Sequence, residues 1–137
     1  MKTILVGYDD SESSQRALTR AAEIAKAFHA NVHVTSVTPM LVGTPRSAGP
    51  YDPADPPEAH REQLEHAKAI LAEHGIAPEL ELAHGDPAEM IVKVGDEIDA
   101  DLIVLGTHER PILERALGMS VSGAVSRKAH RDVLIVH

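Results

Sequence analysis

The sequence predicts an α/β fold in which four helices cover both faces of a five-stranded parallel sheet. Short apolar runs typical of buried strands alternate with stretches of helical periodicity, and each interval between strands is long enough to hold a helix. The runs at 3–9 and 102–106 are almost wholly apolar, as in central strands, whereas the run at 79–83 alternates, as at a sheet edge. These patterns predict the strand order 3-2-1-4-5 within a single domain, residues 1–137.

The first half of the chain contains two strand-helix units joined by a long loop. After the strand at 3–9, serine and acidic residues cap a helix whose apolar residues recur at helical spacing. The second strand, 31–37, places valines between small polar residues. Six prolines and two glycines at 38–57 indicate a loop, and an amphipathic helix at 58–74 then stops at Gly75.

The second half repeats the alternation of strands and helices. Pro87 occupies the first turn of the third helix, where its missing N–H costs nothing. Ligands in such sheets bind beyond the carboxyl ends of the strands, here between strands one and four, beside the loops 9–13 and 106–118. The remaining strands and helices are predicted at 79–83, 87–98, 102–106, 120–129 and 132–136.

Composition and charge exclude several classes of function. Aromatic residues make up 2% of the chain and the net charge is −8, so stacking surfaces for nucleic acid are scarce and phosphate backbones are repelled. Cysteine is absent, which excludes disulfides and thiolate sites and fits a reducing compartment. The sequence contains no apolar run of membrane-spanning length. We therefore expect a cytoplasmic protein with neither nucleic acid nor membrane as partner.

Four blocks of sequence, taken in order, resemble the universal stress proteins. They are ILVGYDDSE at 4–12, VHVTSV at 32–37, ADLIVLGTH at 100–108 and VLIV at 133–136. The resemblance covers nearly the whole chain. It implies a Rossmann-like fold similar to that of the adenine nucleotide alpha hydrolases, a role in stress response, and in many members the binding of ATP or another adenine nucleotide.

The family's nucleotide motif, G-x-x-G followed by nine residues and G-(S/T), is only partly present. Laid on this chain, its positions fall on Gly106, Glu109, Met119 and Ser120, so two of three glycines are replaced, and Gly118 lies one place early. Such glycines let backbone N–H groups approach phosphate oxygens. Glu109 would repel a phosphate and Met119 would obstruct it, which weakens the prediction for a triphosphate.

Other positions of the nucleotide pocket match the family. The resemblance implies that Asp9 accepts hydrogen bonds from a ribose or adenine group and that Val37 lies against adenine. Ser120 and Ser122 begin the last helix, whose free N–H groups favour an anion such as a monophosphate or cyclic phosphate. ATP, AMP and cyclic AMP stay open as ligands, with magnesium only where ATP binds. The predicted binding residues are Asp9, Val37, Gly106, Gly118, Ser120 and Ser122.

Several alternatives compete with this interpretation. Asp9 and Ser120 also fit simple turn and cap positions. The segment GMSVSG at 118–123 only approximates a hydrolase nucleophile elbow, and Glu62 and His66 fit a solvated helix face better than a metal site, so neither catalysis nor metal binding is expected. The competing functions are a nucleotide-free scaffold whose loop at 38–57 meets a protein partner, and a very slow ATPase.

The last strand predicts a homodimer. Residues 132–136 form an apolar edge strand with no internal charge to discourage pairing. Universal stress proteins commonly pair this strand with its twin, so the resemblance implies a symmetric dimer through 132–136.

Overall fold

The strands form one parallel sheet in the order β3-β2-β1-β4-β5, which confirms the predicted order. A computed structural model describes residues 1–40, 55–107 and 120–137. All four strand pairs within these residues are parallel, so each connection must return across a face of the sheet. The elements are β1 (Thr3–Gly7), α1 (Glu12–Phe28), β2 (Asn31–Thr38), α2 (Pro57–Glu73), β3 (Glu79–His84), α3 (Pro87–Glu97), β4 (Leu102–Gly106), α4 (Val121–Lys128) and β5 (Asp132–Val136).

The helices divide between the two faces of the sheet. On one face Ile4 of β1 packs in a buried cluster with α1 and with Leu71 of α2. On the other face Leu5 packs in a second cluster with α3 and with Val125 of α4. Successive residues of β1 thus enter opposite clusters, as the two-residue period of a strand requires. Burial on both faces explains why this strand is continuously apolar in the sequence.

The two edge strands differ in how far they are covered. In β3, Glu79 and Glu81 are exposed and Leu80 and Leu82 are half-buried, which agrees with the alternation in the sequence. In β5, every residue after Asp132 is half-buried. Within the described residues β5 pairs only with β4, so its outer backbone edge faces no strand there.

The ends of the elements lie within two residues of prediction, and local conformation explains the differences. β1 ends at Gly7 rather than at residue 9, because the chain turns through Asp10, whose φ of 67° is left-handed, into the N-cap Ser11 of α1. α2 ends at Glu73, and Gly75 has a φ of 74°. A glycine reaches this conformation without the penalty that a Cβ imposes.

Candidate functional site

A cavity of about 390 Å³ lies at the carboxyl ends of β1, β2 and β4. The chain leaves β1 toward β2 on one side, while β4 lies on the other, so the cavity is at the switch point where open α/β sheets bind ligands. The first turns of α3 and α4 and Asp55, before α2, complete its wall. We call it the switch-point cavity.

A second depression is larger but lies elsewhere. Its volume is about 520 Å³, and it is lined near the amino ends of β2 and β3 by residues such as Asn31, Glu79 and Ile98. It contains none of the side chains predicted to bind a ligand. Position at the strand ends and convergent polar groups, rather than volume, therefore identify the switch-point cavity as the candidate site.

The turn after β1 brings Asp9 to the switch-point cavity. Asp9 is exposed, and its Oδ1 accepts a hydrogen bond of 3.0 Å from the Ser11 backbone N–H. The Ser11 hydroxyl in turn accepts one of 3.2 Å from the Ser14 N–H and caps α1. Asp9 thus holds its turn together and also lines the cavity.

Next to it, Tyr8 and Asp10 tie the end of β1 to α2. The Tyr8 hydroxyl donates to Asp10 Oδ1 over 2.7 Å, and Asp10 Oδ2 lies 2.8 Å from His66 Nδ1. Burial, followed by the hydrogen bond to Asp10 and the nearby carboxylate charges, raises the pKa of Tyr8 far above its ordinary value. Tyr8 therefore stays a neutral phenol at physiological pH.

The end of β2 supplies an apolar wall and a buried polar chain. Val37 is 9% exposed and lines the cavity. Ser36, which also lines it, lies with its Oγ 2.6 Å from His60 Nδ1, and His60 Nε2 is 2.6 Å from Asp55 Oδ1. The Ser36 hydroxyl donates to Gln63 Oε1 over 3.0 Å. Three of these residues, Ser36, His60 and Asp55, border the cavity.

The chain Ser36–His60–Asp55 contains the residue types of a serine hydrolase triad, but its geometry favours a positioning role. Ser36 is 1% exposed, so a substrate carbonyl has little access to its oxygen. Its proton is directed at Gln63 Oε1 rather than at His60. In a hydrolase the histidine takes that proton.

The backbone of α1 approaches the end of β4 so closely that only a glycine fits at position 106. A Cβ at this position would lie 2.6 Å from the Ser14 backbone nitrogen and collide with the backbone of Ser13. Gly106 also borders the cavity. The packing of α1 alone thus explains this glycine, whatever it does for a ligand.

The two predicted serines of α4 have different positions. The Ser120 hydroxyl accepts a hydrogen bond of 2.9 Å from the Gly123 N–H and caps the helix, and Ser120 is not among the residues that line the cavity. Ser122 is 9% exposed and lines the cavity, with its Oγ 3.3 Å from Ser120 Oγ. The first turn of α4, with its N–H groups, therefore borders the cavity beside Ser122.

The structure brings together Asp9, Val37, Gly106 and Ser122, all of which border the switch-point cavity. Gly118 lies outside the described residues, as do Glu109 and Met119 of the partial motif. Within residues 1–40, 55–107 and 120–137, no three His, Asp or Glu side chains converge as metal ligands. No helix in these ranges has the length and apolar character to cross a membrane.

Sequence reasoning missed Ser36, His60 and Asp55. Asp55 falls in the proline-rich stretch read as a loop, and His60 was one of nine histidines with no distinguishing neighbour. Only the fold brings α2 and β2 together, so spacing along the chain gave no signal for this chain of hydrogen bonds. A local hint is that polar Ser36 lies among the buried residues at the end of β2.

Comparisons with known proteins agree with this fold. A universal stress protein of Methanocaldococcus jannaschii is 36% identical over 98% of this chain and 81% of its own. A solved universal stress protein in complex with cAMP is 33% identical, with a TM-score of 0.75 over 99% of this chain and 96% of its own.

Another, from Archaeoglobus fulgidus in complex with dAMP, is 27% identical, with a TM-score of 0.77 over 100% of this chain and 98% of its own. The sequence profile of the universal stress protein family matches residues 1–137. Together with the five-stranded parallel sheet in the order 3-2-1-4-5, these matches establish that the chain belongs to the universal stress protein family.

Proposed function

We propose that this chain is a cytoplasmic, homodimeric stress-response module that binds an adenine nucleotide in the switch-point cavity and does not act as an enzyme. A single universal stress protein domain, residues 1–137, would carry both functions. The observation that carries the proposal is the convergence of Asp9, Val37, Gly106 and Ser122 on one cavity. Relatives of this family have been solved with cAMP and with dAMP, which supports the ligand class.

The proposed ligand is AMP or cyclic AMP in preference to ATP. Val37 offers an apolar wall to the base, and Asp9 offers a carboxylate to the ribose hydroxyls. The first turn of α4 beside Ser122 presents N–H groups to a single phosphate. Glu109 and Met119, in place of two motif glycines, disfavour a triphosphate, so magnesium would be needed only if ATP bound.

The direct test is thermal unfolding of the purified protein with ATP, AMP or cyclic AMP, each with and without magnesium. A ligand that binds only the native state at 100 times its Kd adds about 2.7 kcal/mol of stability. We expect AMP or cyclic AMP to raise the midpoint, and Ser122→Ala to reduce that shift. Ser126→Ala, on an exposed position of the same helix, is the matched control. No shift at millimolar ligand would favour the nucleotide-free scaffold.

The partial motif has its own test. Replacing Glu109 and Met119 together by glycine restores the family's pattern. We expect the double variant to bind ATP more tightly than the parent. Equal ATP affinity in the two proteins would contradict the role assigned to these positions, and ATP turnover by the parent would favour the slow ATPase.

The proposed dimer pairs β5 with its twin. Within the described residues β5 has a partner strand on one side only, and four of its five residues are half-buried apolar side chains. Val133 packs against the buried cluster that contains α3 and Val125, whereas Ile135 belongs to neither buried cluster. Ile135→Lys therefore tests the dimer with less effect on the core. Light scattering at micromolar concentration should give a dimer mass for the parent and a lower mass for the variant. A monomer mass for the parent would refute the dimer.

A further inference from the structure

The switch-point cavity has two ends of opposite hydrogen-bonding character. At the β4 end, the first turn of α4 offers N–H donors beside Ser122. At the β2 end, the cavity is bordered by Asp55 and by Ser36. β1 lies between β2 and β4, and neighbouring strands are about 4.8 Å apart, so β2 and β4 are about 10 Å from one another. A nucleoside can span this separation.

His60 holds the carboxylate of Asp55 in place at the β2 end. His60, which is 6% exposed, contacts Asp55 Oδ1 through Nε2 and Ser36 Oγ through Nδ1, both over 2.6 Å. Gln63 Oε1 accepts from the Ser36 hydroxyl and completes the chain. Hydrogen bonds on both sides of a buried ring fix its orientation, and through it that of the group it contacts. Asp55 itself stays 41% exposed and borders the cavity.

We propose that Asp55, positioned by His60, is a specificity-determining residue that reads the edge of a purine base and selects a 6-amino group over a 6-oxo group. The inference rests on the proposed nucleotide function. With the phosphate at the α4 end, the base lies toward β2, where a carboxylate can only accept hydrogen bonds. Adenine presents N–H donors at position 6, whereas hypoxanthine presents a carbonyl oxygen that repels the carboxylate.

The expected size of the effect follows from the charge of Asp55. A hydrogen bond to a charged group, once lost, changes affinity by about tenfold or more. Sites that hydrogen-bond a substrate group reject analogues lacking it, because the polar groups of the site are then left unpaired. Since Asp55 is partly exposed, water relieves some of that cost, and we expect a preference near the lower end of this range.

The test compares AMP with inosine monophosphate by isothermal titration. We expect the parent to bind AMP at least about tenfold more tightly. Asp55→Asn should bring the two affinities close together, because a carboxamide can offer a donor to a 6-oxo group. His60→Gln should weaken AMP binding and reduce the preference while Asp55 is still present. Glu58→Gln, which alters an exposed group of α2 outside the cavity, should leave the AMP preference unchanged.

The possible outcomes separate the two proposals. If the folded parent binds neither nucleotide, the proposed function fails, and this inference fails with it. If the parent binds AMP and inosine monophosphate equally, nucleotide binding stands and the role of Asp55 is refuted. A preference that persists in Asp55→Asn likewise refutes it. Circular dichroism of each variant establishes that a lost preference does not reflect unfolding.

Discussion

The side of the sheet where the strands begin, called here the amino edge, and the side where they end, the carboxyl edge, both carry acidic residues. These residues have different roles at the two edges. At the amino edge, Asp101 Oδ2 accepts hydrogen bonds of 2.7 and 2.9 Å from the backbone N–H groups of Lys2 and Thr3. At the carboxyl edge, Asp9 and Asp55 also have internal contacts, yet both border an open cavity. Acidic residues of the first edge join strand ends, whereas those of the second also face a space that a ligand can occupy.

Arg131 extends the contrast on the amino side. Its guanidinium donates to Asp99 over 3.0 Å, to Asp96 over 3.3 Å and to the Ala100 carbonyl over 2.6 Å. The hydrogen bonds and charges of these acids raise the pKa of Arg131. This group thus links the end of α3 to the start of β5. The difference between the edges indicates that binding capacity comes from what the strand ends leave uncovered, not from residue type.

The largest predicted effect concerns Gly106 at the carboxyl edge. Gly106→Ala would place a Cβ against the backbone of Ser13 and Ser14, which cannot move without shifting α1. We expect the free energy of unfolding to fall by at least about 3 kcal/mol, measured by urea denaturation.

Gly7→Ala is the matched control for Gly106→Ala. Its Cβ would meet the ends of the Leu105 and Ile91 side chains, which can adjust, so we expect a smaller loss of about 1 kcal/mol. Equal losses in the two variants would show that the close approach of α1 does not explain Gly106.

The second effect concerns the buried polar chain beside the cavity. Ser36→Ala removes the hydroxyl that contacts His60 Nδ1 and leaves a buried ring nitrogen without that partner. We expect a loss of about 1–3 kcal/mol in the free energy of unfolding, by thermal or urea denaturation. Ser126→Ala, at an exposed position, should change stability little. An unchanged midpoint in Ser36→Ala would contradict the contact.

The sequence predicted the fold more fully than the site because the fold depends on patterns that are local. Continuous apolar runs gave the central strands, and the alternation of Glu79 to Leu82 gave the edge. The contacts of His60 depend instead on the packing of α2 against β2. Ser36 and His60, which this packing brings together, are 24 positions apart in the chain. Periodicity records which face of an element is buried. It does not record which polar group lies opposite.

The binding residues show the same division. The family resemblance predicts Asp9, and its position at the start of a helix predicts Ser122; topology then brings both positions to the carboxyl edge. Gly106 was predicted from a motif, and the structure adds a packing reason that no motif states. Ser120 was grouped with Ser122, but its hydroxyl caps α4.

The third prediction separates those two serines. Ser120→Ala removes the cap of α4 and should lower the free energy of unfolding by about 1 kcal/mol, whereas Ser120→Gly should cost only a few tenths of that. If Ser120 acts only as a cap, AMP affinity should change less in Ser120→Gly than in Ser122→Ala. Titration calorimetry checks this, and the reverse order of affinities would assign the ligand contact to Ser120.

The smallest effect is expected at the amino edge, where Asp101 makes the free energy of unfolding depend on pH in the acidic range. Hydrogen bonds from the Lys2 and Thr3 N–H groups lower the pKa of Asp101 in the folded state. Its contribution is therefore complete above the unfolded pKa of about 3.9 and is lost as the pH falls through the lower folded value. Asp101→Asn should be slightly less stable than the parent at pH 7, and the difference should shrink in acid.

Thermal unfolding midpoints of both proteins between pH 7 and pH 3 measure this convergence. Asp132→Asn, at an exposed carboxylate at the start of β5, is the control for the loss of one negative charge. A constant gap between Asp101→Asn and the parent would mean that shape, not charge, joins β1 to β4 at this edge. Convergence would mean that Asp101 joins the two strands through the charge that it places beside the Lys2 and Thr3 N–H groups.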